Sequence, residues 1–128
     1  MKVAGARVLI VEDDAVMRTF MENSLRRMGI HSIETCVDGL SALTLLAKFK
    51  PDLILTDVHM QPMGGLEFVK KLRSASNAAV KNIKVIFMSA DASAETIGEA
   101  LPLGILGYIV KPPRLEALRA KMEQALGS

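Results

Sequence analysis

An α/β fold, a doubly wound sandwich of five strand and helix repeats, is predicted by three observations. Short apolar runs rich in Val, Ile and Leu alternate with longer segments of helical period five times along the chain. The runs at residues 8–11, 53–55 and 83–88 are nearly unbroken in their apolar character, as strands covered on both faces of a parallel sheet are. Finally, 128 residues suffice for one such sandwich with right-handed crossovers, whereas a closed eight-stranded barrel needs about twice that length.

The first strand is expected over residues 7–11, where Val8-Leu9-Ile10-Val11 stops abruptly at Glu12-Asp13-Asp14. From Ala15 the period changes, and Met17, Phe20, Met21, Leu25 and Met28 fall on one helical face with Arg18, Glu22, Arg26 and Arg27 off it. Asp14 suits the N-cap and Gly29 the close of this helix. Residues 30–36 form a shorter, more polar run, as an edge strand does. Asp38-Gly39 opens a second helix with Ala42, Leu43 and Leu46 facing inward, which ends before Pro51.

The third strand, Leu53-Ile54-Leu55, delivers Asp57 to a Pro/Gly loop. Leu66, Val69 and Leu72 then mark a third helix that dissolves into Ser74-Ala75-Ser76-Asn77. A fourth strand over residues 83–88 ends at Ser89. The next helix, residues 92–101, has only Ile97 and Leu101 as strong anchors and contains Gly98, so it is expected to be the least stable. Pro102 and Gly104 terminate it. The last strand, residues 107–110, ends at Lys111 before Pro112-Pro113, and a final helix carries Leu115, Leu118, Met122 and Leu126 on one face.

Composition bounds the function. Half of the residues are hydrophobic and 23% are charged, a globular balance that gives one domain spanning residues 1–128. The net charge of +2 arises from 16 basic and 14 acidic residues spread over helix faces, a solvated surface rather than a nucleic-acid footprint. The lone Cys36 has no internal disulfide partner, no leader precedes the first strand, and no apolar run is long enough to span a bilayer. A cytoplasmic chain with no membrane partner is expected. The methionines read as core filler.

In a doubly wound sheet the carboxyl ends of the strands share one edge, and ligands collect where the strand order reverses. Glu12, Asp13, Asp57, Ser89 and Lys111 are all expected there. An aspartate after a strand ordinarily opens a turn; three carboxylates, a hydroxyl and an ammonium from four strands call for more. Two carboxylates about 4 Å apart repel by roughly 4 kcal/mol at an effective dielectric near 20. Three therefore need a cation or a raised pKa, and Mg²⁺ with its oxygen ligands answers that need. Lys111 and Ser89 can hold oxygens of a phosphoryl group beside the metal.

These residues resemble those of the receiver domain of two-component response regulators, over essentially the whole chain. The matching pieces are Val8 to Asp14, Pro51 to Asp57 with Met60 and Gly65, Met88-Ser89-Ala90, and Tyr108-Ile109-Val110-Lys111-Pro112. The resemblance implies the flavodoxin-like (βα)5 arrangement, a parallel five-stranded sheet of order 2-1-3-4-5. It implies that Asp57 is the phosphoacceptor and that Glu12 and Asp13 are the acidic pair, with Asp13 a direct Mg²⁺ ligand beside Asp57 and the backbone carbonyl of His59. Ser89 is then the switch hydroxyl, Lys111 the phosphoryl-binding lysine, Tyr108 the aromatic that turns inward on activation, and Lys111-Pro112 a cis peptide. The chain departs from the family pattern at Met60-Gln61-Pro62-Met63-Gly64-Gly65, where the proline is shifted and the acid before the glycine is replaced. It departs again at Leu103-Gly104-Ile105 and at Pro113. The resemblance therefore does not fix the shape of that loop or the cap of the third helix.

On this resemblance the chain is a phosphoacceptor signalling domain, not an enzyme apart from its own phosphorylation and slow autodephosphorylation. The implied partners are a histidine kinase or histidine phosphotransfer protein and a downstream protein or output domain, met through the fourth predicted helix, last strand and last helix. His59 and Asp91 flank the site and bear on how fast water removes the phosphoryl group. A phosphohydrolase resembling the haloacid dehalogenases would have Asp-x-Asp where His59 is the third residue here. A flavin mononucleotide binder would cradle phosphate where Glu12-Asp13-Asp14 repels it. A docking module that is never phosphorylated would have no need of Asp57, Ser89 and Lys111 together.

Overall fold

The structure, a computed structural model, describes residues 3–127. Strands β1 (Arg7–Val11), β2 (Ser32–Cys36), β3 (Leu53–Thr56), β4 (Lys84–Ser89) and β5 (Gly107–Val110) pair in parallel in the order β2-β1-β3-β4-β5. This is the flavodoxin-like order. The helices are α1 (Ala15–Arg27), α2 (Gly39–Phe49), α3 (Gly65–Arg73), a one-turn α4 (Ala78–Lys81), α5 (Ala94–Ala100) and α6 (Leu115–Leu126). Among the described residues no helix is long and apolar enough to cross a membrane.

Alternation along the strands builds two cores. Val8, Ile10, Leu53, Leu55, Ile86 and Met88 pack against Met21 and Leu25 of α1 and Leu118 and Met122 of α6. On the other face, Leu9, Val11, Ile54, Val85 and Phe87 pack against Ala42 and Leu46 of α2 and Phe68, Val69 and Leu72 of α3. Both faces are covered, which is why the strands read as apolar runs without visible alternation. Six of the methionines, Met21, Met28, Met60, Met63, Met88 and Met122, are buried as filler.

The caps follow the sequence. Asp14 accepts the Met17 N–H at 3.0 Å and Asp38 the Ser41 N–H at 2.8 Å, so each aspartate satisfies a donor that its helix leaves free. Gly29, with φ 86°, closes α1. In the loop after β3, where the chain departs from the family pattern, α3 is capped by Gly64 with no side-chain hydrogen bond, and the Gln61-Pro62 peptide is cis. Lys111-Pro112 is cis as well.

Several expectations need correction. Phe20 is 41% exposed, because the inner face of α1 runs through Met21, Ser24 and Leu25 and Phe20 lies about 100° off Met21. Leu101 is 61% exposed; it begins a 3₁₀ turn, Leu101–Leu103, whose tighter winding carries it off the face of α5. Residues 74–77 are irregular as expected, but a helical turn not foreseen from the sequence follows them, α4, which Asn77 caps by accepting the Ala79 N–H at 2.8 Å. The weakness expected of α5 has a physical basis in its packing. Its buried residues are only Thr96 and Ala100. A buried methyl-sized group is worth about 0.8 kcal/mol, against about 1.5–3 kcal/mol for the Leu and Met side chains that anchor α1 and α6.

Candidate functional site

The register of the sheet brings the strand ends level. Val11 pairs with Thr56 and Ser89 with Val110, so Glu12 and Asp57 follow β1 and β3 side by side while Lys111 follows β5. Backbone bonds hold the exits: the Asp57 N–H donates to the Val11 carbonyl at 3.0 Å, the Glu12 N–H to Cys36 at 2.9 Å and the Lys111 N–H to Ser89 at 2.9 Å. From β1 the sheet grows towards β2 on one side and β3 on the other, so the crevice at the reversal opens beside Glu12, Asp13 and Asp57.

Gly65 sets how close α3 comes to this edge. A Cβ built there would lie 2.0 Å from the Asp57 carbonyl oxygen and 3.0 Å from the Phe87 ring, so no other residue fits. The Gly65 N–H in turn donates to the Val58 carbonyl at 2.8 Å, pinning the chain just after Asp57.

One oxygen from each of Glu12, Asp13 and Asp57 lies within 4.8 Å of the others. Asp13 is exposed, whereas Glu12 is fully buried and Asp57 nearly so. Lys111 Nζ sits 2.5 Å from Glu12 Oε1 and 2.9 Å from Asp57 Oδ2, and Asp57 Oδ1 accepts the Val58 N–H at 2.6 Å. Burial pushes the Glu12 carboxyl up despite the hydrogen bond from Lys111. For Lys111 burial acts downward, but the hydrogen bonds to Glu12 and Asp57 outweigh it and hold the ammonium above its ordinary value. Three carboxylates face one ammonium. The remaining negative charge and the hard oxygen donors suit a divalent cation, and a shallow cleft of about 280 Å³ lined by Asp13, Val58, His59, Met60, Gln61 and Gly64 opens beside them.

The polar side of the site centres on Asp91. Its N–H donates to Ser89 Oγ at 3.1 Å, its carbonyl accepts from the Tyr108 hydroxyl, and its carboxylate takes His59 Nε2 and Thr96 Oγ1, both at 2.7 Å, and the Ser93 N–H at 2.9 Å. The bonds from His59, Ser93 and Thr96 hold its carboxyl well below the usual carboxylate range. Tyr108 is half-buried, its ring 6.1 Å from that of Phe87, so the aromatic already lies inward. The His59 side chain is directed to Asp91, consistent with only a backbone carbonyl being assigned to the metal. Sequence reasoning took Asp91 as a flanking residue and missed Ser93 and Thr96, although Asp-x-Ser at a helix start is a capping signal. It also missed Arg18, whose Nη1 donates to the Glu12 carbonyl at 2.8 Å.

The ammonium makes a testable contribution to stability. Its folded pKa is raised, so what Lys111 adds is complete below the ordinary lysine value of about 10.4 and fades as pH rises through the folded value. In Lys111→Met the buried Glu12 loses its partner, a break that costs about 3 kcal/mol at neutral pH. Without the ammonium the Glu12 pKa rises further, so the variant loses stability as pH climbs from about 4.3 towards neutrality. Thermal melts of the two proteins across pH should show a gap that opens from acid to neutral and narrows above about pH 10.4. A gap independent of pH would remove the ion pair from the account.

The family model described as the response regulator receiver domain matches residues 8–123. Chemotaxis protein CheY-3 of Vibrio cholerae is 36% identical over 118 residues, covering 92% of this chain and 89% of that protein. The structure of the chemotaxis response regulator CheY4 of Vibrio cholerae superposes with a TM-score of 0.83 at 32% identity, over 94% of this chain and 98% of that one. The receiver domain of a sensor histidine kinase from Pseudomonas aeruginosa PAO1, solved with a magnesium ion coordinated in its active site cleft, gives a TM-score of 0.86 at 26% identity, over 97% and 99% of the two chains.

Proposed function

The chain belongs to the response regulator receiver domain family, whose members act in two-component signalling, and from that premise we propose that Asp57 is its phosphoacceptor. The observation that carries the reading is the convergence of Glu12, Asp13 and Asp57 within 4.8 Å, with Lys111 Nζ 2.9 Å from Asp57 Oδ2. Asp57 takes the phosphoryl group from a phosphohistidine on a histidine kinase or histidine phosphotransfer protein. A carboxylate oxygen attacks phosphorus, the phosphorus–nitrogen bond breaks, and the electron pair leaves with the imidazole.

Asp13 and Asp57, with the His59 carbonyl and with Glu12 behind them, are the groups that would hold Mg²⁺. When bound, the ion supplies positive charge against the phosphoryl oxygens. Lys111 neutralises a further oxygen. It can leave Asp57 for the incoming phosphoryl group while Glu12 keeps it in position. Ser89 acts as the switch hydroxyl: turning towards the phosphoryl group, it gives up the Asp91 N–H and loosens the loop whose carbonyl holds Tyr108. Through Ser93 and Thr96 that change reaches α5, whose buried residues are only Thr96 and Ala100, and so the face formed by α5, β5 and α6, where a downstream protein or output domain is met.

We read the whole chain as this one domain, without direct binding of nucleic acid or membrane, and as a cytoplasmic phosphoacceptor rather than an enzyme with a separate substrate. The side chain of His59, at the position where a haloacid dehalogenase-like hydrolase has its second aspartate, is engaged with Asp91, which supports this choice. Intact-mass measurement after incubation with acetyl phosphate tests it. The expected result is a gain of one phosphoryl group that requires Mg²⁺. No gain under conditions that label another receiver would leave a docking module.

A further inference from the structure

At the amino ends of β3 and β4, the edge of the sheet opposite the carboxylates, the chain leaves a groove of about 530 Å³ between the end of α2 and α4. Leu46, Ala47, Pro51, Ala79, Val80 and Ile83 give it an apolar lining. The α4 wall is braced: Arg73 Nη1 donates to the carbonyls of Lys81 and Ile83 at 2.9 and 2.7 Å, and Asn77 caps the helix. A groove so held is formed before any partner arrives.

Lys50 also lines this groove, and its backbone is the second observation. It follows α2 with φ 53° and ψ 65°, and among the described residues it is the one non-glycine with positive φ. Glycine takes that conformation without steric cost, and Gly29, Gly104 and Gly127 do so elsewhere in the chain. A lysine kept there at a cost points to a use for its side chain. Lys81, exposed and adjoining the lining residue Val80, adds positive charge, and neither lysine forms an ion pair among the described residues. The one carboxylate in the lining, Asp52, is engaged by the Arg7 N–H at 2.8 Å.

We propose that this groove docks an acidic segment of a partner protein, with one aliphatic or aromatic side chain on the apolar floor and flanking carboxylates against Lys50 and Lys81. A polyanion without an apolar group would leave the floor unfilled. Asp52 and Asp57 are separated by the length of β3, about 17 Å at about 3.3 Å per residue. The segment therefore binds without covering the carboxylate site, whatever Asp57 does.

The test is a titration of the whole chain, followed by amide NMR, with three pools of short amidated peptides. Each pool has Leu or Phe at its centre, flanked by Glu and Asp, by Ser, or by Lys; a single-stranded oligonucleotide is the fourth probe. The acidic pool should move the amides of Lys50, Asp52, Ala79, Val80 and Ile83 and leave that of Asp57 in place, with the effect weakening as salt rises. Lys50→Gly should melt higher than the wild type, its strain relieved, and yet bind about tenfold more weakly. Lys81→Glu, an exposed change that leaves the fold alone, should weaken binding too. No shift at the groove, equal shifts from the serine or lysine pools or from the oligonucleotide, or a Lys50→Gly that binds as the wild type does would each overturn the proposal.

Discussion

Asp57→Asn gains no phosphoryl group from acetyl phosphate, whereas the wild-type chain gains one when Mg²⁺ is present. The substitution keeps the shape of the side chain and an oxygen to accept the Val58 N–H that Asp57 Oδ1 takes at 2.6 Å. It removes the anionic oxygen that attacks phosphorus and that would bind the ion, so labelling should fall by at least about 10³-fold. The fold is not at risk, because the amide takes away one of three like charges drawn within 4.8 Å of one another. Intact mass and a thermal melt of the same sample separate lost chemistry from lost structure. If the variant were labelled at the wild-type level, Asp13 or Ser89 would have to be the acceptor, and the assignment would fall. Asp13→Asn is the matching control. It keeps the nucleophile and weakens the hold on Mg²⁺, so its labelling should recover as the ion is raised, which that of Asp57→Asn cannot do.

The polarity of the strand ends was readable in the chain. A parallel sheet presents all its carboxyl ends at one edge, so Glu12, Asp13, Asp57, Ser89 and Lys111 could be brought together on paper with no knowledge of distance. What could not be read was which of them touch. Lys111 and Glu12 are 99 residues apart, and the 2.5 Å bond between them depends on the twist of the sheet and on the loop at Pro112, neither of which leaves a local signature. The same holds for Asp91, whose partners His59, Thr96 and Tyr108 come from three different elements. Helix faces failed at their margins. Phe20 and Leu101 satisfy the 3.6-residue period, yet one lies at the border of the α1 stripe and the other on a 3₁₀ turn. The short α4 offers too few residues for any period, and only the cap at Asn77 hinted at it.

Gly65→Ala should lose stability and reactivity together, for a reason that involves no charge. The new Cβ would stand 2.0 Å from the Asp57 carbonyl oxygen, closer than any side-chain rotation can relieve, because both atoms belong to backbones held by other bonds. The Asp57 N–H is bound to Val11 and the Gly65 N–H to Val58, so relief requires α3 to withdraw from the sheet edge and to disturb Phe68, which is fully buried. Overpacking of a core costs about 1–3 kcal/mol where side chains can adjust, and a clash of backbone with backbone belongs at or above the top of that range. A fall in Tm of about 10 °C is expected. The surviving folded fraction should also take up the phosphoryl group more slowly, since Asp57 is carried out of line with Asp13 and Lys111. Gly98→Ala distinguishes crowding from the mere loss of a glycine, since nothing lies within 4 Å of a Cβ at that position. In the middle of α5 that change should raise stability by about 0.5–1 kcal/mol. If Gly65→Ala melted and reacted as the wild type does, α3 would have slack at this edge, and the closeness of Gly65 to Asp57 could no longer explain how the site is held.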